Sequence, residues 1–354
     1  MILTRNQKIQ FAITALLFAS LACRAATRLI IPDTPTPVPT STATLIPTAT
    51  PPLTATVTPT LESAASCPSV LSQIINDSTT RVVTDLGNDS TVDEKVEYLV
   101  HYTVVGDELK TPLFNPIPND LKAEQDDHTT QTEIWNYFTR LIPAEQRELI
   151  TGFSIITDGK FHILAGVEQA DKNPYKWNLN VDIADAKEKT SLTFTLLHEF
   201  GHLLTLNSDQ VEVNVSLYHH PDDEDLYQSE VAACPQYFTG EGCSNPDSYM
   251  NVFFDRFWTD FYAEWQAIDE QADKDTRLNM LDDFHNTYQD QFLTDYAATS
   301  PEEDIAESWA FFILAPKPET NSIANEKILF FYEYPELIQL RMQILDRICV
   351  EFPS

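Results

Sequence analysis

The spacing of apolar and polar residues predicts strands in the first half of the globular part of this chain. Residues 96–105 alternate or run apolar, as strands do. Residues 153–157 and 161–165 are also apolar, and they flank Asp158 and Gly159, a pair that favours a hairpin turn. We therefore expect two antiparallel strands around this turn.

The pattern changes from strands to helices along the chain. Residues 177–183 alternate cleanly like a strand and precede a longer apolar segment at residues 192–206. Residues 135–150, 253–267 and 328–350 follow a helical period. The predicted class is α+β, with mixed strands before the apolar segment at 192–206 and a mainly helical C-terminal half.

The segment at residues 192–206 predicts a buried helix that carries an H-E-x-x-H motif. His198 and His202 lie four residues apart, so both imidazoles face the same point in space. Two imidazoles held in this way are a usual start of a tetrahedral zinc site, and Glu199 lies next to them as a general base for water. Gly201 predicts close packing of another element. The alternative is a core helix whose histidines are hydrogen-bonded.

A second acidic segment offers the third metal ligand. Ser300 and Pro301 predict the start of a helix, with Ser300 as its N-cap. Glu303 and Glu307 follow four residues apart, so both carboxylates lie on one face. Since this helix is substantially apolar, we expect carboxylates that face inward and need a cation or a histidine partner.

Other sources of a third ligand are less favoured. A metzincin pattern requires Gly and His where Thr205 and Ser208 stand, so that pattern is absent. His219 and His220 adjoin a proline and an acidic run, which is typical of a surface loop.

The two motifs together resemble those of gluzincin metallopeptidases. The resemblance is closest to the anthrax-toxin lethal-factor type and to exported zinc peptidases that share an E-D-x-A-E helix. It implies a zincin-like domain in which His198, His202 and Glu303 bind Zn²⁺. It also implies that Glu307 orients a ligand histidine. The alternative is that Glu307 binds the zinc ion and Glu303 does not.

The same resemblance implies a mechanism of peptide hydrolysis. Glu199 would take the proton of the attacking water and pass it to the leaving amine. Tyr296 stands seven residues before Glu303, where the lethal-factor type has a tyrosine, and it would stabilise the developing oxyanion. The strand at residues 177–183 is expected to be the sheet edge along which a peptide substrate pairs.

The N-terminal residues predict export. Residues 1–23 combine a positive start with a short apolar run, which is too short to span a membrane. The run ends at Cys23 in a sequence that resembles a bacterial lipoprotein processing site, where the cysteine is lipidated. A cell-surface lipoprotein anchored in the membrane through Cys23 is therefore expected. Plain cleavage after Ala22 or Ala26, giving a fully secreted protein, is the alternative.

A linker is predicted between this signal and the globular part. Residues 24–66 include the segment 31–62, which holds eight prolines and eleven threonines. Such a composition cannot bury a core and favours extended, disordered chain. Residues 67–354 remain as one zinc metallopeptidase-like domain.

Four cysteines in the globular part indicate disulfide bonds in an oxidising compartment. Three pairings are possible. Cys234 and Cys243 flank a short loop that closes easily, and Cys67 and Cys349 would then join the two ends of the domain. A zinc site built from these cysteines is disfavoured, since none has C-x-x-C spacing.

The formal net charge of −32 excludes nucleic acid as an expected partner, because phosphate groups would be repelled. The expected partner is a protein or peptide substrate. The predicted function is that of an exported, membrane-tethered zinc peptidase. The alternative is a non-catalytic zincin-like surface lipoprotein that binds a protein partner.

Overall fold

The computed structural model describes residues 67–85, 96–159 and 163–353. The fold is α+β, as predicted, with a mixed sheet and many helices. The predicted signal, the Cys23 anchor and the linker lie outside the described residues. Among the described residues, no helix is both long enough and apolar enough to cross a membrane.

One five-stranded sheet dominates the first half of the domain. Its strand order is β2-β1-β3-β5-β4, in which β3 and β5 are parallel and the other neighbours are antiparallel. The strands are β1 (Glu97–Val105), β2 (Glu108–Phe114), β3 (Ile150–Thr157), β4 (Ala165–Ala170) and β5 (Asn173–Asp182).

One face of this sheet forms part of the hydrophobic core. Tyr102, Phe153, Leu179 and Val167 are successive cross-strand partners from β1 to β4, and all four are buried. Because side chains alternate along each strand, this register brings apolar residues onto a common face. That face belongs to the same core cluster as the motif helix.

The helices pack against the sheet and against one another. Up to the motif helix they are α1 (Pro68–Asp85), α2 (Lys122–Asp126), α3 (His128–Leu141) and α4 (Lys189–Leu206). After it come α5 (Val215–His219), α6 (Glu224–Ala233), α7 (Tyr249–Phe257), α8 (Tyr262–Asp269), α9 (Lys274–Thr287), α10 (Pro301–Leu314), α11 (Ile323–Phe330) and α12 (Pro335–Glu351).

The contact between α4 and α10 positions the two motifs. Helix α4 is buried on most faces, in keeping with its apolar sequence. Gly201 lies against α10, where a Cβ atom would be 3.1 Å from the Cα atom of Ala306 and 3.1 Å from Cδ1 of Trp309. The absence of a side chain at Gly201 therefore permits the close packing that the sequence predicts.

Two local predictions are confirmed. Helix α10 begins with Pro301 in its first turn, and the Ser300 hydroxyl group accepts a hydrogen bond of 3.2 Å from the Glu303 backbone N–H. The disulfide bonds are Cys67–Cys349 and Cys234–Cys243, as predicted.

The predicted hairpin around Asp158 is wrong. Strands β3 and β4 are not neighbours, because β5 lies between them, and β4 begins only at Ala165. Residues 160–162 lie outside the described residues. The Asp158 backbone N–H instead donates to Asp182 Oδ2 at 2.8 Å, which joins the end of β3 to the end of β5. The prediction that residues 177–183 form a sheet edge is also wrong, since β4 is the outer strand.

Some predicted element bounds also differ from the structure. The helix predicted at residues 135–150 ends at Leu141, because Ile142 precedes a proline and is extended. The segment at 253–267 is divided between α7 and α8, and the segment at 328–350 is interrupted before α12. A small sheet in the order β6-β8-β7 follows the motif helix, where no strands were predicted: β6 (Val211–Val213), β7 (Phe238–Thr239) and β8 (Gly242–Ser244).

Candidate metal centre

Helix α4 brings two histidines to one point in the interior. His198 and His202 are one helical turn apart, with only 6% and 8% of their surfaces exposed. Their Nε2 atoms face each other at 3.0 Å. Since the two rings converge on the same point, their Nε2 atoms are available to a single shared partner.

Helix α10 adds a carboxylate at the same point. Glu303 Oε2 lies 2.9 Å from Nε2 of His198 and 3.4 Å from Nε2 of His202. The ligand atoms of these three residues all lie within 4.8 Å of one another, as in a group that can hold a metal ion. The sequence-predicted residues His198, His202 and Glu303 are therefore brought together.

The spacing of the three ligand atoms suits a tetrahedral metal site. Ligand atoms about 2.0–2.1 Å from a tetrahedral zinc ion lie about 3.3 Å from one another. The distances between the three ligand atoms, from 2.9 to 3.4 Å, are close to that value. Little movement of these side chains is needed to coordinate a metal ion.

Glu307 lies behind His198 and does not face the shared point. Its Oε1 atom accepts a hydrogen bond of 3.0 Å from Nδ1 of His198, on the opposite side of the ring from Nε2. A carboxylate beyond a metal-binding histidine fixes the ring and its tautomer. The geometry thus separates the two glutamates, with Glu303 at the shared point and Glu307 behind the ring.

Electrostatics at the centre favour a charged carboxylate at Glu303. Burial opposes its ionisation, but His202 and His198 outweigh burial and hold the pKa of Glu303 well below its ordinary value. Burial also opposes protonation of His198, but Glu303 and Glu307 raise its pKa well above the ordinary value. The proton on Nε2 of His198 is the one that a metal ion would displace.

The other ring nitrogen of His202 has a different environment. Among the described residues, His202 Nδ1 is buried without a hydrogen-bond partner. The two histidines therefore differ: the outer nitrogen of His198 is held by a carboxylate, whereas that of His202 is not. A buried ring nitrogen without a hydrogen-bond partner is destabilising by about 1–3 kcal/mol, whether it is a donor or an acceptor.

Glu199 joins the centre to the outer strand of the large sheet. Glu199 is 6% exposed, and the backbone N–H of Val167 in β4 lies close enough to its carboxylate to oppose the rise of its pKa. Burial raises the pKa of Glu199, while the neighbouring histidines oppose that rise. A buried carboxylate with a raised pKa beside a cation site is suited to accept and release a proton.

Tyr296 lies over the centre from a short turn, Tyr296–Ala298, before α10. Its ring centroid is 5.7 Å from that of His198, and its hydroxyl group lies near the carboxylate of Glu303, which helps to raise its pKa. The side chain is 36% exposed, yet its hydroxyl end lies in the buried part of the centre, where burial raises its pKa. The phenol therefore remains a hydrogen-bond donor at neutral pH.

The structure also brings forward residues that the sequence patterns do not single out. Thr294 donates a hydrogen bond of 2.8 Å to Glu307 Oε2.

The carboxylates of Asp158, Asp182 and Asp185 form a second buried group that could hold a metal ion, with oxygen atoms within 4.8 Å of one another. The signal available for the aspartates was their position at the ends of β3 and β5, which a hairpin interpretation of residues 153–165 obscured.

Comparison with known proteins gives no assignment, since no protein-family model, curated protein or solved structure matches this chain.

Proposed function

We propose that this protein is an exported zinc-dependent peptidase of the gluzincin type. The observation that carries the proposal is the convergence of His198, His202 and Glu303 on one buried point beside Glu199. Two imidazole nitrogens and one carboxylate oxygen form the ligand set of a catalytic zinc site that leaves one position open. Zinc bound there supplies a Lewis acid that polarises a carbonyl group and makes water a better nucleophile.

Glu199 is the proposed general base and acid. Its carboxylate would accept a proton from the attacking water and return it to the leaving amine. Its carboxylate lies beside the two histidines and near the backbone N–H of Val167. A structural metal site has no need of this glutamate, so its position supports catalysis rather than simple metal binding.

Tyr296 is the proposed donor to the oxyanion. Its hydroxyl group lies near the carboxylate of Glu303, so it would be within reach of a substrate oxygen bound next to the metal site. One well-placed donor of this kind contributes about 3–4 kcal/mol to transition-state stabilisation.

Strand β4 is the proposed docking edge for an extended substrate. It is an outer strand of the mixed sheet, and the backbone N–H of its Val167 lies near the Glu199 carboxylate. A peptide that paired with β4 would therefore lie near the proposed base. A mixed sheet with an outer antiparallel strand next to the motif helix also supports a zincin-like fold.

The proposed location is outside the cytosol, at the cell surface. Two disulfide bonds support an oxidising compartment. Anchoring through a lipid on Cys23 rests on the sequence alone, and mass spectrometry of the N-terminal peptide would test it.

The test of the proposed function compares the full chain with Glu199→Gln. We expect about one zinc ion per chain in both proteins, measured by elemental analysis after exchange into chelator-free buffer. Cleavage of a mixed peptide library should fall by about 10²–10⁴-fold in Glu199→Gln, since the proton acceptor is lost. Glu212→Gln, an exposed glutamate of β6, is the matched control and should cleave like the unchanged protein.

Two outcomes would contradict the proposal. Undiminished cleavage by Glu199→Gln would remove the base from the mechanism. A chain that takes up no zinc from micromolar solution and cleaves nothing would leave the alternative, a non-catalytic surface protein that binds a partner.

A further inference from the structure

Thr294 lies at the junction between the two parts of the metal centre. Its hydroxyl group donates a hydrogen bond of 2.8 Å to Glu307 Oε2 and accepts one of 3.1 Å from the backbone N–H of Ala297. A hydroxyl group has one proton and two lone pairs. Because Glu307 takes the proton, the lone pairs remain for Ala297, and the direction of both hydrogen bonds is fixed.

The first hydrogen bond acts on a proposed zinc ligand through Glu307. One oxygen of this carboxylate is held by Thr294, and the other accepts from Nδ1 of His198 at 3.0 Å. With both oxygens occupied, the carboxylate cannot rotate to present another geometry to the ring. With Glu307 accepting from Nδ1, His198 would keep its proton there and would lose the Nε2 proton when a metal ion binds.

The second hydrogen bond acts on the turn that carries Tyr296. Ala297 and Tyr296 belong to the same short turn, in which the Thr294 hydroxyl group accepts from the N–H of Ala297 and the Asp295 side chain accepts from that of Tyr296. The Tyr296 ring lies 5.7 Å from the His198 ring. The Thr294 hydroxyl group thus contacts both Glu307, which is bonded to His198, and the turn that carries Tyr296.

We propose that Thr294 is a positioning residue of the metal centre, whose single hydroxyl group fixes Glu307 beneath His198 and the turn of Tyr296 above it. This inference rests on the proposed zinc site. Thr294 touches neither metal nor substrate. Its effect on the metal is transmitted only through Glu307 and His198, and this makes the inference testable by double mutation.

The experiment measures Zn²⁺ affinity of the full chain by competition with a chelating dye. Loss of an outer hydrogen-bond partner of a ligand histidine weakens metal binding by about 10–100-fold. Since Thr294 acts one contact further out, through Glu307, we expect a weakening of about 10-fold, the lower end of that range, in Thr294→Val, which has the same shape but no hydroxyl group, and near-normal affinity in Thr294→Ser. Thr299→Val is the matched control, because the Thr299 hydroxyl donates to the Tyr296 carbonyl in the same segment without contacting Glu307.

A double-mutant cycle separates positioning from a general loss of structure. In a Glu307→Gln background, Thr294→Val should weaken Zn²⁺ binding by less than about 3-fold, since its route to His198 is already broken. An equal weakening in both backgrounds, or unchanged affinity in Thr294→Val alone, would overturn the inference while the zinc site itself stands. If Thr294→Val does not fold, Thr294→Ala is measured in its place with the same expectation. Failure of the unchanged chain to bind Zn²⁺ would instead overturn the proposed function and this inference with it.

Discussion

Two consecutive carboxylates on α10, Glu303 and Asp304, have contrasting environments. Asp304 is fully buried and accepts hydrogen bonds from Lys327 Nζ at 2.5 Å and from Trp258 Nε1 at 2.8 Å. Glu303 faces two imidazoles and a tyrosine hydroxyl group instead. Successive residues on a helix point about 100° apart, so a one-residue step separates the metal centre from an internal ion pair.

The contrast shows how the chain neutralises one partly buried and one fully buried negative charge. Lys327 is itself 0% exposed, and its Nζ lies 4.2 Å from the ring centroid of Phe292, so its charge lies in the interior of the protein. Burial raises the pKa of Asp304 to about 6 even though Lys327 opposes the rise. The histidines hold the pKa of Glu303 well below its usual range. Asp304 has a fixed counter-ion, Lys327. The histidine partners of Glu303 can instead release a proton when a metal ion binds.

The largest expected effect comes from removing the fixed counter-ion. Lys327→Met leaves Asp304 as an uncompensated buried charge, and breaking such a pair lowers the free energy of unfolding by about 3–5 kcal/mol. The loss should be the same with and without chelator, since the pair lies apart from the metal ligands. Urea denaturation in both conditions measures it.

Lys317→Met provides the control for the loss of a lysine. Lys317 is exposed and lies 4.4 Å over the ring of Tyr332, so its removal should cost about 0.5–1 kcal/mol. Similar losses in the two variants would show that the buried pair contributes little, and the contrast between Glu303 and Asp304 would fail.

The next largest effect concerns the metal. Zinc at about 100 times its dissociation constant should stabilise the unchanged chain by about 2.7 kcal/mol. Glu303→Gln should lose this increment, because a neutral amide is a poor replacement for the anionic ligand. Thermal unfolding with and without zinc measures the difference.

The neighbouring glutamate gives a matched control for Glu303. Glu302 Oε1 accepts a hydrogen bond of 2.7 Å from the Tyr237 hydroxyl group and does not face the histidines. Glu302→Gln should therefore keep the zinc-dependent stabilisation. If both variants respond to zinc like the unchanged chain, the ligand assignment of Glu303 is wrong.

The sequence predicts the residues around Glu303, at the candidate metal centre, better than it predicts the Asp304–Lys327 ion pair. The spacing of His198 and His202 and the capping of α10 by Ser300 are local features, which a helical period reveals directly. The Asp304–Lys327 pair joins two different helices, and nothing in local spacing indicates that Lys327 is buried. Local patterns thus indicate the candidate ligands more readily than the buried ion pair beside them.

The strand order of the large sheet is another feature that local patterns do not predict. Alternation at residues 177–183 predicts a strand, and β5 is observed there, but alternation does not state which strands lie beside it. The predicted edge and hairpin were wrong for this reason. Strand order is decided by contacts across the sheet, such as the Asp158–Asp182 hydrogen bond, that a linear pattern does not contain.

The smallest expected effect comes from Gly201→Ala, which tests how tightly α10 is held against the motif helix. Asp304 and Ala306 lie two residues apart, so they point about 200° apart on α10, one toward Lys327 and the other toward Gly201. In Gly201→Ala, the gain of about 1 kcal/mol in helix propensity should be outweighed by an overpacking cost of about 1–3 kcal/mol. We expect the free energy of unfolding to fall by about 1 kcal/mol, measured by urea denaturation with chelator present.

Gly166→Ala is the control for this change, because a Cβ atom at Gly166 meets nothing within 4 Å. Removing backbone freedom from the unfolded chain at such a site stabilises by about 0.4–1 kcal/mol. The two glycine variants should therefore differ in sign. A Gly201→Ala chain that is as stable as the unchanged one would mean that α10 moves outward freely. The ion pair would then stabilise the fold without fixing the distance between the helices that carry Glu303 and the two histidines.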